Sequence, residues 1–447
     1  MKANSDKSKQ SKKVTRRVLA GVLCGASVLS LVLSLVMPPI SQAIANDAQA
    51  VSAEETVMGG GSSGESTGVD NTANGDAENQ NSDDAETGDD DTQSEEQSKD
   101  KSQAEDNEAM DANAVLSAEE AVESEEATTD INNAEDLRAK LLSVGENQAA
   151  SFKLTADIDY AGEITLNSGI KITLNLNGCK ITHSGDNSTK PLFNIANSAT
   201  LTLKDSSQGQ DQKSVQNGDN NGRVASMEYD TSSGIPTKLT YYVTESTPNG
   251  TGTTETLYRH EVSINGAIVG TAAGSTMRLI NVYAGGTFNL DSGVLTQKDN
   301  CNVGNLIYAE NGSTVNMRGG YVCGASGSGA GGGIEIHGNS TLEVSGGVIA
   351  GNSAPSGGGV YAKDSTVNIT NGVISGNSTL ATGVGFGGGI MAEGGSVTVS
   401  GGYITNNKYA NYCGNDGNGD HGGAGLAAKN GTHVTISGGQ ITGNYSE

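Results

Sequence analysis

The chain has 447 residues, with 64 Gly, only 6 Pro, 13 Tyr, 4 Phe and no Trp, a composition that excludes collagen and Pro-rich linkers. Its formal charge of −26, from 52 acidic and 26 basic residues, excludes a protein held to nucleic-acid phosphate. The charge is uneven: residues 46–130 carry 26 acids against Lys99 and Lys101 alone, whereas 131–447 carry 25 acids and 17 bases. The first of these segments reads as a tail and the second as the folded part.

In chain order, residues 2–17 hold seven Lys or Arg, an apolar run follows over 18–37, and Pro38-Pro39 precede Ala43-Ile44-Ala45. That order predicts a signal peptide over 1–45, cut before Asn46, and a secreted or cell-surface protein. The apolar run also reaches the length of a membrane span, so an uncleaved anchor over 18–37 is the alternative, and the only expected membrane contact. Cys24 follows Leu23 where a lipid-attachment site wants a small residue. Residues 46–130 bury too little apolar surface to offset chain entropy, so they are expected to be a disordered acidic tether. Beyond the signal lie Cys179, Cys301, Cys323 and Cys413, with no CxxC. Export makes disulfides possible, and four cysteines leave three pairings open.

Order is expected to begin near Thr129. Asn133 is placed to cap a short helix through Leu142, with Glu135 and Asp136 in its first turn and Leu137, Leu141 and Leu142 as its apolar stripe. Period-two alternation then predicts strands at Phe152-Lys-Leu154-Thr-Ala156-Asp-Ile158, at Ile164-Thr-Leu166 and at Ile170-Lys-Ile172-Thr-Leu174-Asn-Leu176. Residues 206–262 interrupt this pattern with a polar loop, then Leu239-Thr-Tyr-Tyr-Val and Thr256-Leu-Tyr-Arg around Pro248-Asn-Gly-Thr-Gly. They read as a hairpin or small β module inserted into the fold.

From residue 280 the chain repeats. One unit reads Gly357-Gly-Gly-Val-Tyr-Ala, then Ser365-Thr-Val-Asn-Ile-Thr-Asn-Gly, then Val373-Ile-Ser-Gly-Asn; Gly331-Gly-Gly-Ile334 and Gly387-Gly-Gly-Ile390 open its neighbours. Each unit holds three short strands. The second strand carries the apolar pairs Phe288/Leu290, Val315/Met317, Leu342/Val344, Val367/Ile369, Val397/Val399 and Val434/Ile436, and the third stacks Leu295, Val322, Ile349, Ile374, Ile404 and Ile441. One unit alone has nothing to bury its apolar face against; coils of about 25 residues, each rising ~4.8 Å, bury it against one another. The prediction is an all-β fold over 131–447, a right-handed parallel β-helix with a short N-terminal capping helix. Asn352, Asn377, Asn407 and Asn444, each ending a third strand, are expected to form a ladder at one turn.

The Gly-Gly-Gly-Ile/Val, Ser/Thr-x-Val-x-Ile and Gly-Gly-x-Ile-x-Gly-Asn pattern resembles the pectate-lyase-like β-helix repeats of bacterial surface adhesins. Leu154-Thr-Ala-Asp-Ile158 and Leu174-Asn-Leu-Asn-Gly178 resemble the lead-in of such proteins. The resemblance covers roughly 131–447, is specific for architecture and says little about activity. It implies a surface-displayed adhesin or structural module with host or cell-wall glycans as partners. The sequence departs from that pattern by stopping after a third strand, without a Leu-Pro-x-Thr-Gly sorting motif, which reads as a truncated chain.

Two outward rows of the first strands are the candidate binding surface. One is read as Tyr283, Tyr308, Glu335, Tyr361, Met391 and Ala427, an aromatic row suited to sugar rings; the next as Gly285, Glu310, His337, Lys363, Glu393 and Lys429. The alternatives are an ordinary exposed strand, which Tyr and mixed charges also suit, and an enzyme: Glu310 and Glu335 on adjacent coils for glycoside hydrolysis, or Lys363 or His337 as the base of a lyase. The Asp-rich calcium cluster of pectate-lyase-like enzymes is not recognisable, so the expectation leans away from catalysis. No cofactor is expected, with one candidate: Asp416, Asn418 and Asp420 recur every second residue as in a calcium loop, but His421 takes the place of the turn Gly, and Ala427 that of the bidentate Glu.

Overall fold

The computed structural model describes residues 128–184, 190–216, 223–271, 277–380, 385–410 and 422–446, all within the unit Ala109–Glu447. The signal-like segment, nearly all of the acidic tether, Cys413 and the loop with Asp416, Asn418 and Asp420 lie outside the described residues.

The described chain is almost all β and is built from stacked three-strand turns, an arrangement compatible with a parallel β-helix. First strands pair in parallel from Ile164–Thr165 through Asn305–Ala309 to Leu426–Lys429. Second strands pair likewise from Ala149–Leu154 to His433–Ile436, and third strands from Ile158–Tyr160 to Gln440–Thr442. The strands Val360–Ile369 and Ile390–Val399 run on through the corner and join the first two rows into one sheet. The stacking starts well before residue 280, since Ile172 pairs with Leu201 and Leu201 with Phe288.

The alternation read from the sequence sets which face is buried. Val344, Ile369 and Val399 are directly stacked and each about 1 % exposed, while Asn368, between Val367 and Ile369 on its strand, points outward and donates through Nδ2 to Glu343 Oε1 at 2.7 Å. The amino end of the stack is closed by the helix Ala134–Leu142. Asn133 caps it by accepting from the Asp136 N–H, and Leu137 and Leu141 are buried against the first turns, with Leu142 half-buried.

The asparagine ladder forms as expected. Asn352, Asn377 and Asn407 are fully buried. Each Oδ1 accepts from the backbone N–H one turn earlier: Ala325 to Asn352, Asn352 to Asn377, Asn377 to Asn407 and Asn407 to Asn444, all at 3.0–3.1 Å. Each Nδ2 donates back to a third-strand carbonyl, Val322, Ile349, Ile374 and Ile404 in turn. The glycine triplets follow from this packing. Gly357 sits at φ +61°, which side chains rarely adopt; a Cβ on Gly358 would lie 2.2 Å from the Ser378 carbonyl; a Cβ on Gly359 would lie 3.0 Å from Asn377 Nδ2.

The insertion is a four-stranded antiparallel sheet ordered Ser226–Tyr229, Pro236–Asn249, Gly252–Ser263, Asp211–Val215. Asp205 pins its base, accepting from the Gly178 N–H before it and the Gly266 N–H after it at 2.7 and 2.9 Å. Leu239, Tyr241, Val243 and Val262 pack on Val294, Tyr321, Cys323, Val348 and Ala350 of the third-strand row, forming a second apolar core outside the coils. The strand Pro236–Asn249 crosses the turns instead of joining one. Tyr242 O accepts from Ser375 Oγ and Asn406 Nδ2, Thr244 O accepts from Thr442 Oγ1, and the Ser246 N–H donates to Gln440 Oε1. Cys179, Cys301 and Cys323 are free thiols, and burial pushes the Cys323 thiol up to about 12.

Candidate functional site

The outward rows of the first strands form one stripe of rings and charges. Parallel pairing puts Asn281, Tyr308, Glu335, Tyr361, Met391 and Ala427 side by side. Tyr283 does not belong to this row. Val282 pairs with Ala309, so Tyr283 stands at the level of Glu310, in the row of His337, Lys363, Glu393 and Lys429. The expectation that grouped Tyr283 with Tyr308 is corrected, and Gly285 leaves the second row with it. The reason is spacing: the step from Asn281 to Tyr308 equals that from Gly293 to Gly320, whereas Tyr283 to Tyr308 falls two residues short, and two residues in a strand keep the face but shift the level.

The side chains interlock from turn to turn. Tyr308 Oη donates to Glu310 Oε2 at 2.9 Å, Glu335 Oε1 lies 2.6 Å from His337 Nε2, and Tyr361 Oη donates to Glu393 Oε2 at 2.7 Å. Glu393 also accepts from Asn430 Nδ2 at 2.6 Å, and Lys429 Nζ lies 3.6 Å away. The His337 ring sits between the two tyrosines, its centroid 5.5 Å from Tyr308 and 5.7 Å from Tyr361. The Arg278 guanidinium lies over the Tyr308 ring, 3.3 Å from its centroid. With Tyr308 only 9 % exposed and one ring face covered by this cation, Tyr361, half-buried, is the row's better platform for a sugar ring. Arg278 was not readable as a partner: the residue paired with it one turn on is Asn305, so no periodic cation marks the position.

Two shifts follow from this packing. The hydrogen bond from Tyr361, with Lys429 nearby, holds the Glu393 carboxyl below its usual range. Burial, then the hydrogen bond to the Glu310 carboxylate, push the Tyr308 hydroxyl up to about 12. A raised folded-state value means that the neutral phenol contributes stability in full below its ordinary value of 10.0 and loses it as pH climbs through about 12. Tyr308→Phe is therefore expected to be less stable than wild type near neutrality by roughly 1 kcal/mol, for the lost hydrogen bond. It should lose less between pH 10 and pH 12, so the two stability curves converge; denaturant titrations across that range check it.

The stripe offers donors, acceptors and a partly open ring within a few turns, a set suited to sugar hydroxyls. Glu310 and Glu335 stand on adjacent turns, each bonded to a neighbour on its own strand. Among the described residues, no three His, Cys, Asp or Glu side chains gather as a metal-holding group. The calcium candidates Asp416, Asn418 and Asp420 fall outside the described residues. Against known proteins, no family model, curated protein or solved structure matches the chain.

Proposed function

We propose that this chain is a secreted or surface-displayed bacterial protein, a right-handed parallel β-helix of the pectate-lyase-like kind, acting as an adhesin or structural surface module whose first-strand face contacts glycans. The hand is inferred from the near-universal chirality of crossovers between parallel strands. The stripe in which the tilted rings of Tyr308, His337 and Tyr361 lie 5.5 and 5.7 Å apart across successive turns carries the reading, because it sets rings and carboxylates together on an outward face. The signal-like first 45 residues and the acidic stretch after them support display at a distance from the cell. A second reading rests on the short contact between Glu335 and His337, an acid–base pair one turn from Glu310, and makes the protein a polysaccharide-active enzyme.

A glycan array run beside reducing-end and unsaturated-product assays separates the two. Binding without product, weakened about tenfold or more by Tyr361→Ala, is expected for loss of a ring anchor of ~1.5 kcal/mol. Product release abolished by Glu335→Gln would establish the enzyme instead. No binding to any glycan by the folded full chain would leave only the structural role.

A further inference from the structure

The first-strand row before Tyr308 is a hydrogen-bonded ladder that breaks off. Asn194 Nδ2 donates to Glu163 Oε1, and one turn on Asn281 Nδ2 donates to Asn194 Oδ1 at 2.7 Å. With its amide nitrogen turned back to the preceding turn, Asn281 aims its Oδ1 at the following one, since the two atoms lie on opposite sides of the amide. In the second-strand row that position is filled: Asn289 Nδ2 reaches back to Thr202 Oγ1, and Asn289 Oδ1 accepts from Asn316 Nδ2 at 2.8 Å. In the first-strand row the next residue is Tyr308, whose hydroxyl is already given to Glu310. Asn281 Oδ1 is therefore buried without a donor among the described residues, and a buried acceptor left unmet is costly.

Arg278 opens the same strand, Arg278–Val282, and its guanidinium lies 3.3 Å from the Tyr308 ring centroid. The two faces of that ring are thus taken from opposite sides. His337 approaches from the following turn, with ring centroids 5.5 Å apart, and Arg278 from the preceding one. The two covers differ in how they are held. His337 is tied to Glu335 at 2.6 Å, whereas among the described residues Arg278 has neither an ion pair nor a hydrogen bond. A cation over a ring is a modest attraction where water can replace it. Arg278 is half-buried on a long flexible stem, so its head swings out into solvent at little cost.

We propose that Tyr308 is a second sugar-binding position that Arg278 holds shut. A pyranose ring stacking on Tyr308 takes the face that the guanidinium vacates, and one of its hydroxyls donates to Asn281 Oδ1. The exchange replaces one ring contact by another of similar strength and adds a hydrogen bond to an acceptor that had none. This second position presupposes the glycan reading of the stripe and narrows its ligand. The glycan must be long enough to reach from Tyr361 to Tyr308, two turns away at ~4.8 Å each. It is a neutral one, because the carboxylates of Glu310 and Glu335 stand beside the Tyr308 ring and disfavour an acidic sugar there.

The probes are neutral β-linked oligomers of glucose, mannose and N-acetylglucosamine, from the single sugar to the hexamer, titrated into the folded full chain by calorimetry. Tyr361→Ala reports on the stripe as a glycan surface, and Arg278→Ala on the second position. Arg278→Ala is expected to tighten binding of oligomers that span Tyr361 to Tyr308 by about tenfold, the size of one added ring contact, and adding Tyr308→Ala should abolish that gain. In the wild type, the Arg278 side-chain protons, shifted upfield by the Tyr308 ring in magnetic resonance spectra, are expected to lose that shift when the hexamer binds. Binding that Tyr361→Ala weakens but Arg278→Ala does not tighten, or an upfield shift that survives the hexamer, overturns the second position and leaves the glycan reading standing. No binding of any oligomer, by wild type or by Arg278→Ala, overturns the second position together with a neutral glycan as the ligand of the stripe. If Arg278→Ala does not fold, the wild-type proton shifts decide the question.

Discussion

Ile369→Asp is expected to unfold the middle of the stack, whereas Asn368→Asp, one residue away, leaves it folded. Ile369 is 1 % exposed and stacked between Val344 and Val399, so the substitution removes a buried aliphatic side chain and sets a carboxylate among aliphatic neighbours. The cost is about 5 kcal/mol or more, with loss of packing and burial of an unpaired charge acting together. Asn368 faces outward, and its change forfeits one hydrogen bond to Glu343 and sets two carboxylates side by side, about 1 kcal/mol in total. Thermal melts followed by circular dichroism distinguish them. Equal melting temperatures for the two variants would mean that the inward and outward faces had been exchanged.

The second large effect is expected at Asn377. Its amide accepts from the Asn352 N–H and donates to Ile349 O and Asn407 Oδ1. Asn377→Ala leaves a buried N–H and a buried carbonyl without those partners, at about 1–3 kcal/mol each. Asn377→Asp keeps the shape but turns an oxygen toward two acceptors, so it should be at least as harmful as the alanine; a milder aspartate would mean that volume, not donation, is what the site requires. Gly359→Ala probes the same contact from the other side, since its Cβ would press on Asn377 Nδ2 and on the Gly389 carbonyl at 2.7 Å. If that contact is what excludes a side chain, combining Gly359→Ala with Asn377→Ala should cost less than the sum of the two changes.

Much of the fold was legible because it is periodic. The inward rows rest on an apolar residue recurring at a fixed place in turn after turn, and the asparagine ladder on an Asn recurring in four successive turns, and stacking turns that recurrence into contact; the helix cap at Asn133 was legible from local capping chemistry instead. What was not legible is what happens once. Arg278 over Tyr308 has no counterpart on the next turn, and Tyr283 was misplaced by matching residue type where turn length was the better guide. The insertion was recognisable as β structure, but its target was not: Leu239, Tyr241 and Val243 alternate like any strand, and nothing in that alternation says that they cover Tyr321 and Val348. For the candidate site, the carboxylates and rings were readable as a set, while their mutual bonding, which decides which ring face stays open, depended on register.

The strand Pro236–Asn249 also has a consequence for the order of assembly. In a simple stack each turn touches only its neighbours, so the turns can be laid down one after another from the capped end as the chain is made. This strand is made early, yet beyond its own hairpin Tyr242, Thr244 and Ser246 find partners at Ser375, Thr405, Asn406, Thr442 and Gln440. Its contacts bridge intervals of 133 to 198 residues, and such distant closures come late. Its apolar side is covered step by step as the turns carrying Val294, Tyr321 and Val348 are added, and its far end is held only once Gln440 and Thr442 are in place. The insertion is a strap fastened in stages: a chain arrested before residue 440 would keep the contacts of Tyr242 with Ser375 and Asn406 and lack those of Thr244 O and the Ser246 N–H.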